Sequence, residues 1–212
     1  MILAVDIRMT VGPSPVAVRP TRQSLPWDAG SVATPLIPIE IETERLVLRR
    51  PSEEDAIVRR ELWTERDPRV PPHRRIGSDG RPTVKDIAAS LRAEQEAPRS
   101  GLLTIVRKRD GDVIGYCGLI FDGTGPSDEP ELAYELLRRA QGFGYATEAA
   151  RAVLDWAAEA GYRRVWAGVR KWNGASLRVL QKLAFVDTGQ DELDADYGDS
   201  VVTTKTLPNQ AR

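Results

Sequence analysis

Glu131-Leu-Ala-Tyr-Glu-Leu-Leu-Arg-Arg-Ala-Gln-Gly-Phe-Gly-Tyr-Ala-Thr-Glu148 is the stretch on which the fold turns. A strand over 131–137 stops, a short loop carrying Gly142 and Gly144 follows, and a helix begins where the loop ends. Glycines let a chain turn so that successive N–H groups point into one concavity, and a helix N-terminus adds partial positive charge. The junction reads as an anion site, best suited to a pyrophosphate. A nucleotide P-loop would need Lys-Ser/Thr after the second glycine, where this chain has Tyr145-Ala146. A dinucleotide fingerprint would need a third small residue at Thr147 and a parallel βαβ unit upstream, where the sequence suggests hairpins. A turn with no ligand stays open on these residues alone, because Gly-x-Gly is a weak signal.

Upstream, Arg45-Leu46-Val47-Leu48-Arg49 alternates as a strand does. Ser52 and Asp55 then mark the start of a helix that runs to about Trp63. Residues 67–82 hold Pro68, Pro71, Pro72, Gly77, Gly80 and Pro82, which forbids a long regular element. Thr83 caps a second helix through about Glu96, with Val84, Ile87, Ala88 and Leu91 as its apolar stripe, and the two helices flank the loop as a hairpin. Apolar runs over 102–107 and 113–121 surround Asp110-Gly111, a hairpin signal, and with 131–137 they form an antiparallel meander after a polar turn over 122–130.

Downstream, the helix from about Gly144 runs to Ala160, burying Ala149, Ala152, Val153, Trp156 and Ala157, with Gly161 as its stop. A strand over 163–170, a short helix over 173–183 and two last strands over 185–188 and 200–206 complete the pattern. Trp156 and Trp166 read as core residues.

Composition bounds the rest. The 212 residues suffice for one domain plus an appendage, and residues 1–38, with six of the fifteen prolines, read as a poorly ordered extension ahead of a domain over 39–212. Thirty Lys plus Arg against 31 Asp plus Glu argue against a general nucleic-acid binder. The single Cys117 and single His73 argue against disulfide frameworks and His/Cys metal sites, and Cys117, in an apolar run, reads as a buried thiol. The sequence has no apolar run long enough to cross a membrane, so a reduced, cytoplasmic, membrane-free protein is expected.

Gln141-x-x-Gly144-x-Ala146 resembles the (Gln/Arg)-x-x-Gly-x-(Gly/Ala) signature of the GNAT superfamily of acyl-CoA-dependent N-acyltransferases. Four more stretches are similar to its RimJ/RimL-type branch, which acetylates the N-termini of ribosomal proteins. They are residues 42–49 (E-T-E-R-L-V-L-R), Glu131-Leu-Ala-Tyr134, Gly144-Tyr-Ala-Thr-Glu-Ala149, and Asn173-Gly-Ala-Ser176 followed by Leu183-Ala-Phe185. The likeness covers residues 42 to about 206 in order and spacing. Ala184 stands where the family usually has Gly, Glu135 where the branch usually has Trp, and Arg138 where Pro is common.

The resemblance implies an α/β (α+β) fold: a mainly antiparallel twisted sheet of about seven strands with about four helices, split by the cofactor between its fourth and fifth strands. It implies acetyl-CoA as cosubstrate and transfer of the acetyl group to a primary amine, on a protein N-terminus or a small molecule, by direct attack. The backbone of Gln141, Gly142, Phe143, Gly144, Tyr145 and Ala146 would hold the pyrophosphate, and Thr147 would cap the helix or touch phosphate. Leu136 and Leu137 would pair their peptide groups with pantetheine and offer an N–H to the thioester oxygen. Asn173 would bind the pantetheine arm and Ser176 would serve the leaving thiolate, with plain helix capping as the alternative for both.

An aliphatic amine is mostly protonated at neutral pH, so a carboxylate base is useful. Strand alternation puts Glu131 and Glu135 on one face; either is a candidate base, or both are ordinary strand carboxylates. His73 lies in the loop that shapes the acceptor pocket in this family, and Arg69, Arg74, Arg75 and Arg81 there would recognise an acidic acceptor or a CoA phosphate, or simply face solvent. A homodimer is compatible with this reading. The rival is a non-catalytic acyl-CoA-binding module on the same scaffold.

Overall fold

Among the described residues, five strands lead into the glycine loop and three follow it, all in one sheet ordered β1-β2-β3-β4-β5-β6-β8-β7. The computed structural model describes residues 40–96, 100–121 and 129–208; the expected extension over 1–38 and most of the turn over 122–130 lie outside the described residues. In chain order the elements are β1 (Glu40–Glu42), β2 (Leu46–Arg49), α1 (Ala56–Glu65), α2 (Val84–Glu96), β3 (Ser100–Arg107), β4 (Asp112–Ile120) and β5 (Glu131–Leu136). Then follow α3 (Tyr145–Glu159), β6 (Arg164–Arg170), α4 (Gly174–Lys182), β7 (Val186–Glu192) and β8 (Ser200–Thr206). The expected α/β class and four helices are present. The eighth strand is β1, three residues with exposed Glu40 and Glu42 that carry no apolar alternation to reveal them.

Neighbours pair antiparallel except β5 and β6, which run parallel and meet in register only at Glu131↔Trp166, next to the bond from Trp166 N–H to Pro130 C=O (3.1 Å). Beyond Glu131 the two strands part. This is the expected split, one strand later in number because of β1. In the β3–β4 ladder Ile105 faces Gly115 while Val106 faces Val113, so Ile114 bulges out, and its carbonyl accepts Leu137 N–H at 2.9 Å.

The two faces of the sheet carry different helices. Tyr116 and Glu135, opposite each other on β4 and β5, meet side chains from α1 and its end, Arg59 and Arg66. Tyr134, of opposite parity, reaches α4, which packs on α3. Between α3 and the sheet lie Leu132, Ala149, Val153, Ala157, Val165 and Ala167, all essentially water-free. Cys117 is a core thiol, its ionisation suppressed by burial. Trp166 departs from expectation: Val165, Ala167 and Val169 take the buried face of β6, and the half-buried indole donates its N–H to Glu129 C=O (3.1 Å).

Two of the stretches that suggested the family find each other in space. The Glu148 carboxylate in the first turn of α3 accepts from the Thr43 hydroxyl (2.6 Å), the Arg45 backbone N–H (2.9 Å) and the Arg45 guanidinium (2.7 Å). Arg45 continues to the Phe143 carbonyl (3.0 Å) and lies 4.6 Å over the Tyr145 ring. The turn between β1 and β2 thereby fixes the glycine loop. Among the described residues no helix is long and apolar enough to cross a membrane.

Candidate active site

After β5 the chain makes one 3₁₀ turn (Arg138–Ala140) and enters the loop, where Gly142 (φ 83°) and Gly144 (φ 84°) both take the left-handed conformation. Such φ values favour glycine, so the two residues set the path of the loop. Gly144 is the N-cap of α3 and offers no side chain, so the expected capping by Thr147 does not occur. The N–H groups of Tyr145, Ala146 and Thr147, in the first helical turn, have no acceptor within the helix.

These groups open onto a groove lined on one side by Leu136, Gln141, Gly142, Gly144, Tyr145, Ala146 and Thr147, as expected. Its far wall is α4: Ala175, Arg178, Val179 and Lys182. Arg178 and Lys182 were not foreseen. They lie four apart on one helix face, but nothing in the sequence alone brings that face to the glycine loop. Phe143 does not line the groove; the residue is 60% exposed and its carbonyl is held by Arg45.

The end of β5 corrects one expectation. Leu137 N–H is spent on Ile114 C=O, so it has no free donor for a thioester oxygen. Peptide groups alternate along a strand, so Leu136 turns away from β4 toward the split, where its carbonyl accepts the Gln141 side chain at 2.8 Å. Leu136 lines the groove and Leu137 does not.

Asn173 is the N-cap of α4: its Oδ1 accepts Ser176 N–H (3.3 Å) and its Nδ2 donates to Ser176 Oγ (3.1 Å). The Tyr134 hydroxyl donates to Ser176 C=O (3.2 Å), which ties α4 to β5. Ser176 is 0% exposed and neither it nor Asn173 lines the groove, so what the geometry shows is capping.

The two candidate bases differ in surroundings. Glu135, 2% exposed, takes a two-pronged grip from Arg66 (Nε 2.8 Å, Nη2 2.6 Å) and a bond from the Tyr116 hydroxyl (2.9 Å). Burial would raise its pKa, but Arg66 foremost, then Arg74 and Tyr116, more than offset this and hold it below the usual carboxylate range. A carboxylate so held is a poor proton acceptor. Glu131 is buried at the point where β5 and β6 part, and its Oε1 lies 4.0 Å from where a Cβ on Gly168 of β6 would sit. Its carboxylate therefore reaches toward the neighbouring strand.

The arginines of the α1–α2 loop separate. Arg69 pairs with Asp67 and stacks 4.3 Å over Trp172, and Arg81 pairs with Asp86; both are exposed. Arg74 is buried, its carbonyl accepting Arg66 Nη1 at 2.9 Å. His73 is exposed in the 3₁₀ turn Pro72–Arg74. Arg59 and Arg66, buried under α1 and at its end, had no signal in the sequence, because charged residues on a surface helix ordinarily face water.

Comparison with known proteins fits this geometry. Residues 45–186 match the family model for the acetyltransferase (GNAT) domain. The chain is 32% identical over 155 residues to the uncharacterized N-acetyltransferase p20 of Bacillus licheniformis, covering 69% of this chain and 82% of that protein. A GNAT-family acetyltransferase structure from Bordetella pertussis superposes with a TM-score of 0.61 at 25% identity, over 78% of this chain and 98% of that one. The ribosomal-protein-S5-alanine acetyltransferase of Vibrio fischeri shares the fold, with a TM-score of 0.61 at 18% identity over 82% of this chain and 100% of that one.

Proposed function

The chain belongs to the GNAT family of acetyltransferases, which draw on acetyl-CoA, and we propose that it acetylates a primary amine in the split between β5 and β6 with Glu131 as the base. The observation that carries this reading is the parting of the two strands after Glu131, with the glycine loop and the basic wall of α4 at the open end. Acetyl-CoA supplies, when bound, a thioester carbonyl for the amine to attack and a thiol that leaves.

The chain's own groups do the rest. First-turn N–H groups of α3, with Arg178 and Lys182 across the groove, suit a pyrophosphate. The Leu136 peptide, turned to the split, would hold the pantetheine arm, whose length would carry the thioester along β5 toward Glu131. Glu131 would take the proton that an ammonium must lose before it can attack. Asn173 and Ser176, by capping α4 beside Tyr134, position that wall. We place the chain in the RimJ/RimL-type branch, a reading supported by the contact between its Thr43-x-Arg45 and Glu148 stretches.

Release of CoA thiol from acetyl-CoA, measured against a panel of small amines and peptide N-termini, tests the reading. Glu131→Gln should lower kcat about 100-fold or more at neutral pH while leaving the acetyl-CoA Kd within about twofold. Full turnover by Glu131→Gln would remove Glu131 from the role. Binding without thiol release from any amine would favour the acyl-CoA-binding module.

A further inference from the structure

Four buried side-chain polar atoms among the described residues have no hydrogen-bond partner. Three of them, Arg59 Nη2, Glu94 Oε2 and Arg75 Nε, belong to α1, to α2 and to the loop between these helices. Arg59 is 7% exposed, and its guanidinium carbon lies 4.1 Å from the ring centre of Tyr116. The Tyr116 hydroxyl in turn touches Glu135, so Arg59 stands one side chain away from β5, on the face that also carries Glu131.

The contrast with Arg66 is informative. Arg66 is equally buried but spends its donors on Glu135 and the Arg74 carbonyl. Arg59 has a ring beneath it and an unused N–H. A guanidinium cannot shed its charge, and a buried cationic donor without an acceptor is strongly disfavoured. Glu94 feels the Arg59 charge but makes no ion pair with it, and its Oε2 is unpartnered too. Two opposite groups left unpaired in one interior are each short of a partner.

We propose that Arg59, with Glu94 within reach of its charge, recognises an anionic oxygen group, carboxylate or phosphate, carried on a short chain by the acceptor amine. The inference rests on the acetyl-transfer reading for the identity of the ligand as acceptor. The short chain follows from burial: a group must reach under α1 to meet Arg59 while its amine stays at β5. Burial favours the protonated form of Glu94, although Arg59 pulls the other way. A protonated Glu94 would donate to the anion.

Matched pairs test it: an ω-amino acid against its amide, and phosphoethanolamine against ethanolamine, titrated calorimetrically into the full chain saturated with CoA. The anionic member of at least one pair should bind about tenfold tighter or more, and the two pairs separate carboxylate from phosphate. Arg59→Met should bring that ratio within about twofold, and Arg59→Lys should retain part of it. A purely structural Arg59 would lower the melting temperature without changing the ratio, which would overturn the proposal. Equal binding of both members by the unaltered protein would overturn it as well, even if Arg59→Met failed to fold. Thiol release from acetyl-CoA, read on the same pairs, keeps the two readings apart. Selective binding with no release would sink acetyl transfer alone, and release with no selectivity would sink the anion site alone.

Discussion

Glu135 sits among groups that match its charge: Arg66 forks onto it, Tyr116 donates to it, and Arg74 adds positive potential. Removing one partner of a buried pair costs more than the pair contributes, because the other charge stays behind. Glu135→Gln should therefore destabilise the protein by about 3–5 kcal/mol, read as a shift in the urea midpoint at neutral pH. A loss under about 1 kcal/mol would mean that Arg66 finds another acceptor or reaches water. Strand alternation was enough to put Glu135 and Glu131 on one face of β5. Nothing in the sequence named Arg66, 69 positions away, because pairing across such a separation depends on how α1 is laid on the sheet.

At the scale of an element, the turn from α4 into β7 has a Schellman pattern: Phe185 N–H bonds to Leu180 C=O and Ala184 N–H to Gln181 C=O, both at 3.0 Å. The pattern requires a left-handed residue between them, and Ala184 takes it with φ 59°. The chain accepts a strained alanine where glycine would sit without strain. An L-residue there costs roughly 1–2 kcal/mol, while glycine would give back roughly 0.4–1 kcal/mol through a freer unfolded chain. Ala184→Gly should therefore stabilise the fold by about 0.5–1 kcal/mol in urea denaturation, and a destabilised variant would show that the turn relaxes in solution. The elements themselves were largely legible. Periodicity and turn residues gave the β3–β4–β5 meander, both early helices and α3 within a few residues, since each carries its own local pattern. β1 was not legible, because a three-residue edge strand is made by its neighbour and not by its own sequence.

Across the whole molecule, three carboxylates act as rivets between parts distant in sequence. Asp55 joins β2 to β3 through Arg49 and Thr104, Glu135 joins β5 to the end of α1, and Glu148 joins α3 to the β1–β2 turn. Burial would raise all three pKa values, yet the bonds from Arg49, Ser52 and Thr104, from Arg66, and from Thr43 and Arg45 outweigh it and leave each lowered. A carboxylate lowered in the folded state contributes stability that is present above its unfolded pKa, about 4, and is lost as pH falls through the folded value. Unfolding free energy from urea titrations should hold near neutrality and drop progressively below about pH 4; a flat profile down to pH 3 would refute the rivets as stabilising contacts. The groove was legible in outline from its glycines and its place after β5. Its far wall was missed because Arg178 and Lys182 become neighbours of the loop only once β6 returns the chain beside β5.

The single bridge between β5 and β6 also has a mechanical meaning. With strands β1 to β5 on one side and β6, β8 and β7 on the other, the sheet is like a book whose spine is Glu131 and Trp166. From that spine to Leu136 is five strand steps, a lever arm of about 17 Å. Beyond the bridge no ladder among the described residues joins the two covers, so their separation at the glycine loop rests on side-chain and helix contacts such as that of Tyr134 with Ser176 and the packing of α4 on α3.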